Sequence, residues 1–195
     1  LFGDHPDVRK SATSDFKQAN DRIYLVGASQ QELGASELAY MLTEDGEAQG
    51  IGGAVPRLDR PENNLNMYRA LSKTIQNGWV KTAHDCSEGG LAVALAEMCI
   101  GGRTGADIDI DGTGDGDVWG RLWGESLGRF LVAVSPENDA AFKAGMKGYP
   151  TTILGTVTDN DALVISDGDD PLISTPVEPL VAAWKGTLDM TGGVA

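Results

Sequence analysis

Basic residues are scarce in this chain: 15 Lys and Arg stand against 29 Asp and Glu, a formal net charge of -14 over 195 residues. A nucleic-acid backbone or an anionic membrane surface selects a basic face, so this balance argues against both partners. Long apolar runs are missing too. No stretch approaches the roughly 20 apolar residues of a membrane-spanning helix. No charged n-region with an apolar h-region opens the chain, and residue 1 is Leu. We therefore read the sequence as a fragment, either a domain cut from a longer polypeptide or a processed product. Cysteine is limited to Cys86 and Cys99. A helix between them separates the two by roughly 12 Å, beyond disulfide reach. Two reduced, packed thiols fit a cytoplasmic protein. No G-x-x-x-x-G-K-[ST] stretch occurs, which excludes a P-loop.

What is abundant is aspartate. It concentrates in D-I-D-I-D-G-T-G-D-G-D (residues 107–117) and D-G-D-D (residues 167–170). The first run has the look of a calcium loop but lacks the helix-loop-helix frame and a terminal Glu at the right offset. A strongly solvated, halophile-like surface is the reading we adopt.

Length suits one α+β domain spanning residues 21–186, with a polar lead-in over 1–20 and a loose tail over 187–195. Strands are expected at 22–26, 79–83, 105–111, 129–134, 152–157, 162–166 and 172–176. Helices are expected at 36–41, from Pro61 to Asn77, from Leu91 to Gly101, from Ser135 to Lys147 and at 178–185. The helix from Pro61 is expected to bury Leu65, Tyr68, Leu71, Ser72 and Ile75. Residues 43–60 read as a glycine-rich loop.

The chemistry concentrates in T-A-H-D-C-S-E-G-G-L-A-V-A-L-A-E-M, residues 82–98. A strand end, a polar and glycine-rich turn, and an Ala- and Leu-rich helix follow one another there. Such a turn presents backbone N–H groups to an anion. It equally suits a plain helix start, capped by Asp85, Ser87 or Glu88 with Gly89 and Gly90 making the turn. Both readings stay open on local pattern. His84 has no second His or nucleophile at a catalytic offset.

Four blocks carry a resemblance. H-D-C-S-E-G-G-L-A-V-A-L-A-E-M resembles the H-D-x-S-E-G-G-L-A-V-A-L-A-E-M block of phosphoribosylformylglycinamidine synthase, the synthetase subunit of purine biosynthesis. D-F-K-Q-A-N-D-R-I-Y-L-V-G (15–27) resembles its D-x-K-x-x-G-D-x-I-Y-L-x-G strand, and L-G-A-S-E-L (33–38) its L-G-G-S-E-x loop. W-G-E-S-L-G-R-F (123–130) resembles its F-x-E-S-x-G-R-F block.

This resemblance implies the C-terminal domain type of the aminoimidazole ribonucleotide synthetase superfamily, three-layered, with helices over a mixed sheet and partly ferredoxin-like. Within the synthase the chain looks like the second such domain. The full enzyme is implied to use ATP and Mg²⁺, and its partners are the remaining synthetase domains, a glutaminase subunit and a small accessory subunit. Catalytic residues are implied to lie in other domains, so none is carried onto this chain and the isolated chain is expected to be inactive. Relatives such as thiamine-monophosphate kinase or selenophosphate synthetase, and a non-catalytic scaffold domain, are the alternatives. Candidate nucleotide- or phosphate-binding residues are Gly34, Ser36, Asp85, Ser87, Gly89, Gly90, Glu125 and Ser126. We expect Ser36, Asp85 and Glu125 around one concave surface that the N–H groups of the turn face. Leu127 stands where the related E-S-Q block has its amide.

Overall fold

A computed structural model describes residues 7–44, 47–48, 53–58 and 61–186. The expected tail falls outside them. Among the described residues nine strands occur: β1 (Arg22–Val26), β2 (Thr43–Glu44), β3 (Glu47–Ala48), β4 (Thr82–Asp85), β5 (Gly105–Asp109), β6 (Phe130–Val134), β7 (Thr151–Thr158), β8 (Ala162–Asp167) and β9 (Asp170–Pro176). The helices are α1 (Glu37–Met41), α2 (Pro61–Gln76), α3 (Gly90–Gly102), α4 (Val118–Trp123), α5 (Asp139–Gly145) and α6 (Val177–Gly186). Seven strands form one mixed sheet in the order β4-β6-β1-β7-β5-β8-β9. Every neighbouring pair is antiparallel except β5 and β8. Among the described residues no helix is long and apolar enough to cross a membrane.

Period-two alternation sorts the strand side chains into two cores. Ile23 and Leu25 of β1, with Leu131 and Ala133 of β6, pack under α3, α4 and α6. The intervening Tyr24, Val26, Val132 and Val134 pack under α2 and α5. The result is the expected α+β arrangement: helices, a mixed sheet, helices. The second helical layer covers only part of the sheet. On β5 and β8 the residues facing away from α3 are Asp107, Asp109, Val164 and Ser166, and none belongs to the second core.

α3 shows why this sequence chooses a helix. Leu91, Ala92, Ala94, Leu95, Met98 and Cys99 are all buried, so the element is apolar on most of its surface and fills the centre of the larger core. Burying Leu91, Leu95 and Met98 contributes roughly 1.5–3 kcal/mol each. A truncation such as Leu95→Ala removes that contact and leaves a void, at about 2–5 kcal/mol. Its end differs from expectation. Gly101 and Gly102 lie inside the helix, and Arg103 closes it at φ 54° with its N–H on the Cys99 carbonyl. These glycines serve close approach instead: a Cβ on Gly102 would sit 2.2 Å from the Phe16 carbonyl oxygen. Phe16, from the polar lead-in, is itself buried in the larger core, and Thr13 bridges to Thr82 on the β4 edge.

Five other expectations need correction. Residues 43–60, expected as a loop, contain the antiparallel pair β2 and β3, with Thr43 opposite Ala48 and Glu44 opposite Glu47. β4 begins at Thr82 and runs on through His84 and Asp85, because its register follows Leu131 and Phe130 of β6. α2 buries Met67, Leu71 and Thr74, leaving Leu65 and Tyr68 at the surface. The stripe is rotated because Met67 and Leu71 meet Phe142 and Met146 in the second core. α5 starts at Asp139, since Ser135 accepts the Asn138 N–H and closes a turn first. α4 was not expected; Asp117 caps it by accepting the Gly120 N–H at 2.9 Å.

Candidate functional site

The site is a junction of three loops around Glu125. One Glu125 carboxylate oxygen, Oε1, accepts the N–H of Gly89 at the start of α3 and the N–H of Glu37 at the start of α1, both at 2.9 Å. A single negative charge thus sits against the positive ends of two helices. The cap that local sequence assigned to Asp85, Ser87 or Glu88 comes from this remote residue, and no side chain of the turn caps α3. Gly89 and Gly90 hold φ of 75° and 65°. A Cβ on Gly90 would lie 2.5 Å from the Gly124 carbonyl oxygen, so the turn and the Glu125 loop touch backbone to backbone.

Beneath the junction lies Arg129, 1% exposed. Its guanidinium donates to the Ser126 carbonyl at 3.1 Å, to Ser29 Oγ at 2.8 Å and to the Gly124 carbonyl. Burial pulls the Arg129 pKa below its ordinary value, while the nearby Glu32 and Glu125 carboxylates act in the opposite direction. Removing the cation would strand three buried acceptors. Ser126, also buried, accepts the Gln30 N–H at 3.0 Å, and the Glu125 N–H donates to the Glu32 carbonyl at 3.3 Å.

Of the remaining predicted residues, Ser36 is buried and caps α1: its Oγ accepts the Ala39 N–H at 3.2 Å and donates to Leu33 at 2.8 Å. Gly34 lies against the 53–54 backbone, where a Cβ would meet the Gly53 carbonyl oxygen at 2.5 Å. The Ser87 hydroxyl donates to Asp85. That bond, against partial burial and with His84 assisting, holds the Asp85 carboxyl below the usual carboxylate range. His84 spans from Asp85 (Nδ1, 3.4 Å) to Glu97 of α3 (Nε2, 2.7 Å).

Asp85, Ser87, Glu88 and Glu125 line one cavity of about 410 Å³ with Arg129 in its wall. Ser36 reaches the junction through its helix but does not line that cavity. The structure therefore brings the three loops together and places two of the three expected side chains on one concave surface.

Chemically the junction positions rather than reacts. The Ser87 hydroxyl is bonded to a carboxylate, and burial pushes the Cys86 thiol up to about 11, so neither is an activated nucleophile. The Gly89 N–H that would meet a nucleotide phosphate is taken by Glu125. Among the described residues no group of three His, Cys, Asp or Glu side chains is placed to hold a metal ion. Sequence reasoning passed over Arg129 and Ser29; the signal available was a charged residue directly before the apolar run of β6.

The chain resembles Thermotoga maritima PurL solved with FGAR at a TM-score of 0.72 and 19% identity, covering 89% of this chain and 30% of that one. It resembles the T. maritima PurLQS structure at 0.67 and 19%, covering 89% and 28%. Hydrogenase maturation protein HypE, solved with ATP, matches at 0.58 and 15%, covering 89% and 56%. The chain spans about 30% of the length of these PurL chains and just over half of HypE. The family model described as AIR synthase related protein, C-terminal domain, matches residues 18–168. That match takes in β1, the Glu125 junction and the sheet as far as β8, and the chain belongs to this family.

Proposed function

We propose that this domain serves an ATP-dependent phosphoribosylformylglycinamidine synthase, a carbon–nitrogen ligase that converts formylglycinamide ribonucleotide to its amidine in purine biosynthesis. The observation that carries the reading is the Glu125 junction. Three blocks that resemble the synthase, far apart in sequence, meet there through Glu37, Gly89 and Glu125. In this reading Gly34, Ser36, Asp85, Ser87, Gly89, Gly90, Glu125 and Ser126 frame the face turned to the rest of the enzyme. ATP, Mg²⁺ and ammonia chemistry belong to that remainder. The remaining synthetase domains, a glutaminase subunit and a small accessory subunit are the partners, in keeping with the solved PurLQS assembly.

The reading frame around Leu1 tests this. An adjoining N-terminal-type synthetase domain, and amidine formation by the full product given ATP, ammonia and formylglycinamide ribonucleotide, is the expected result. The isolated chain is expected to give no turnover. An unrelated adjoining domain, or phosphorylation of thiamine monophosphate or selenide by the full product, overturns the assignment in favour of another superfamily member or a scaffold.

A further inference from the structure

Where α2 gives way to β4 the chain reads Gln76-Asn77-Gly78-Trp79, and Asn77 alone among the asparagines of this chain is followed by glycine. The pair turns the backbone, with Gly78 at φ of 76°, a conformation that L side chains rarely adopt. A Cβ added to Gly78 would meet nothing within 4 Å, and Asn77 is exposed, so the turn stands in open space.

An asparagine beside a glycine carries both of its reactants. The Asn77 side-chain carbon Cγ and the Gly78 nitrogen can close a succinimide ring, and glycine has no Cβ to crowd the approach. The nitrogen is restrained by one bond: the Gly78 N–H donates to the Ile75 carbonyl at 2.8 Å, next to the Asn77 N–H on the Lys73 carbonyl at 3.0 Å. Both bonds lie at the extreme end of α2, where helices fray and local opening is least costly. The side chain is freer than its counterparts. Asn138 Nδ2 donates to Ser135 Oγ at 3.0 Å and Asn160 Oδ1 accepts the Thr158 hydroxyl at 2.5 Å, whereas among the described residues none bonds the Asn77 amide.

We propose that Asn77-Gly78 is a self-modifying site, at which the amide ages to a carboxylate without an enzyme. The Gly78 nitrogen gives its proton to solvent base and bonds to Asn77 Cγ. The Cγ–Nδ2 bond breaks, and Nδ2 leaves as ammonia after taking a proton from water. One water then opens the cyclic imide at either carbonyl, its hydroxyl joining the carbon and its hydrogen returning to the nitrogen. The product is an aspartyl or an isoaspartyl link, and the sum is one water taken up and one ammonia released.

The second core feels the change. The Trp79 N–H donates to the Thr74 carbonyl at 3.1 Å, a Cβ on Gly145 of α5 would lie 3.2 Å from the Trp79 ring, and Val80 is buried. An isoaspartyl link lengthens the main chain by one carbon just before these contacts, and its carboxylate sits at the negative end of α2. The site does not depend on the synthase reading.

Peptide mapping by mass spectrometry, during warm incubation of the chain at mildly alkaline pH, tests it. Conversion at Asn77 is expected to outpace that at every other asparagine by at least about tenfold, and Gly78→Ala to slow it by a similar factor. Alanine strains the turn at φ 76° and so favours opening, which means that slowing cannot come from a tighter fold. Asn77→Gln, whose ring closure is larger and slower, is expected to abolish the fall in melting temperature that accompanies ageing of the parent. An Asn77 left intact in the folded chain, or a rate unmoved by Gly78→Ala, overturns the proposal. A converted chain that melts as the fresh one does overturns the link to the second core.

Discussion

The two halves of the sheet are built on different terms. The β4–β6–β1 half is covered by helices on both faces, and β6 reads Phe130 to Val134 with four of its five residues buried. The β5–β8–β9 half has α3 and α6 on one face and aspartates on part of the other. Between residues 105–117 and 159–170 lie ten aspartates and no Lys or Arg. A continuous apolar run thus marks a doubly covered strand, and alternation marks a strand with one open face. The acidic runs, the first of which had the look of a calcium loop, are in part the solvent side of this second half.

The sharpest way to break the comparison is one substitution made twice. Val132→Lys buries an ammonium in the second core and is expected to cost at least about 4 kcal/mol in urea unfolding. Val164→Lys sits on the open face opposite Asp107, and is expected to stay within about 1 kcal/mol of the parent. Equal losses would mean that the open face is covered after all.

Next in size is salt. Repulsion among the aspartates of the open half should weaken the fold in dilute buffer, so the melting temperature is expected to rise steeply from low to molar potassium chloride. Asp107→Asn with Asp169→Asn should flatten that slope. A melting temperature independent of salt would separate the acidic runs from stability.

The covered half should answer to acid instead. Asp139 of α5, mostly buried, is met by the Tyr24 hydroxyl, Lys143 and Arg22. Burial pushes its carboxyl up, but these partners outweigh it and hold the pKa below the ordinary value. Its contribution is complete above about pH 4, the unfolded value, and is lost as pH falls through the lower folded value. Acid unfolding of Asp139→Asn should therefore lose this part of the low-pH slope; an unchanged acid limb would remove Asp139 as its source.

The smallest effect concerns two residues that stand where the related blocks have glycine. Asn20 and Ala35 keep φ of 72° and 59°. Asn tolerates that conformation and Ala does not. Ala35→Gly is expected to raise stability by about 0.5 kcal/mol, relief of about 1 kcal/mol of strain being partly offset by a freer unfolded chain. A destabilised Ala35→Gly would show that the methyl packs usefully.

Local pattern carried most of the fold: β1, β6, the three C-terminal strands and α6 follow from alternation and apolar runs. It failed where a distant segment decides. Gly102 in isolation reads as a helix stop, and only the Phe16 backbone lying against it reveals its purpose. The α3 cap is equally remote, 36 residues along the chain at Glu125. The rotated face of α2 depends on which residues of α5 it meets. At the junction the sequence marked the loops but not the buried Arg129 that holds them.

The two cysteines have a practical consequence. Cys86 and Cys99 are buried, and burial pushes their thiols up to about 11 and about 12. One lies just after β4 and the other inside α3, so in the native state an alkylating reagent meets a protonated, shielded sulfur at both. Their alkylation rate therefore times the parting of that strand from that helix, and the chain carries its own clock for opening without any added label.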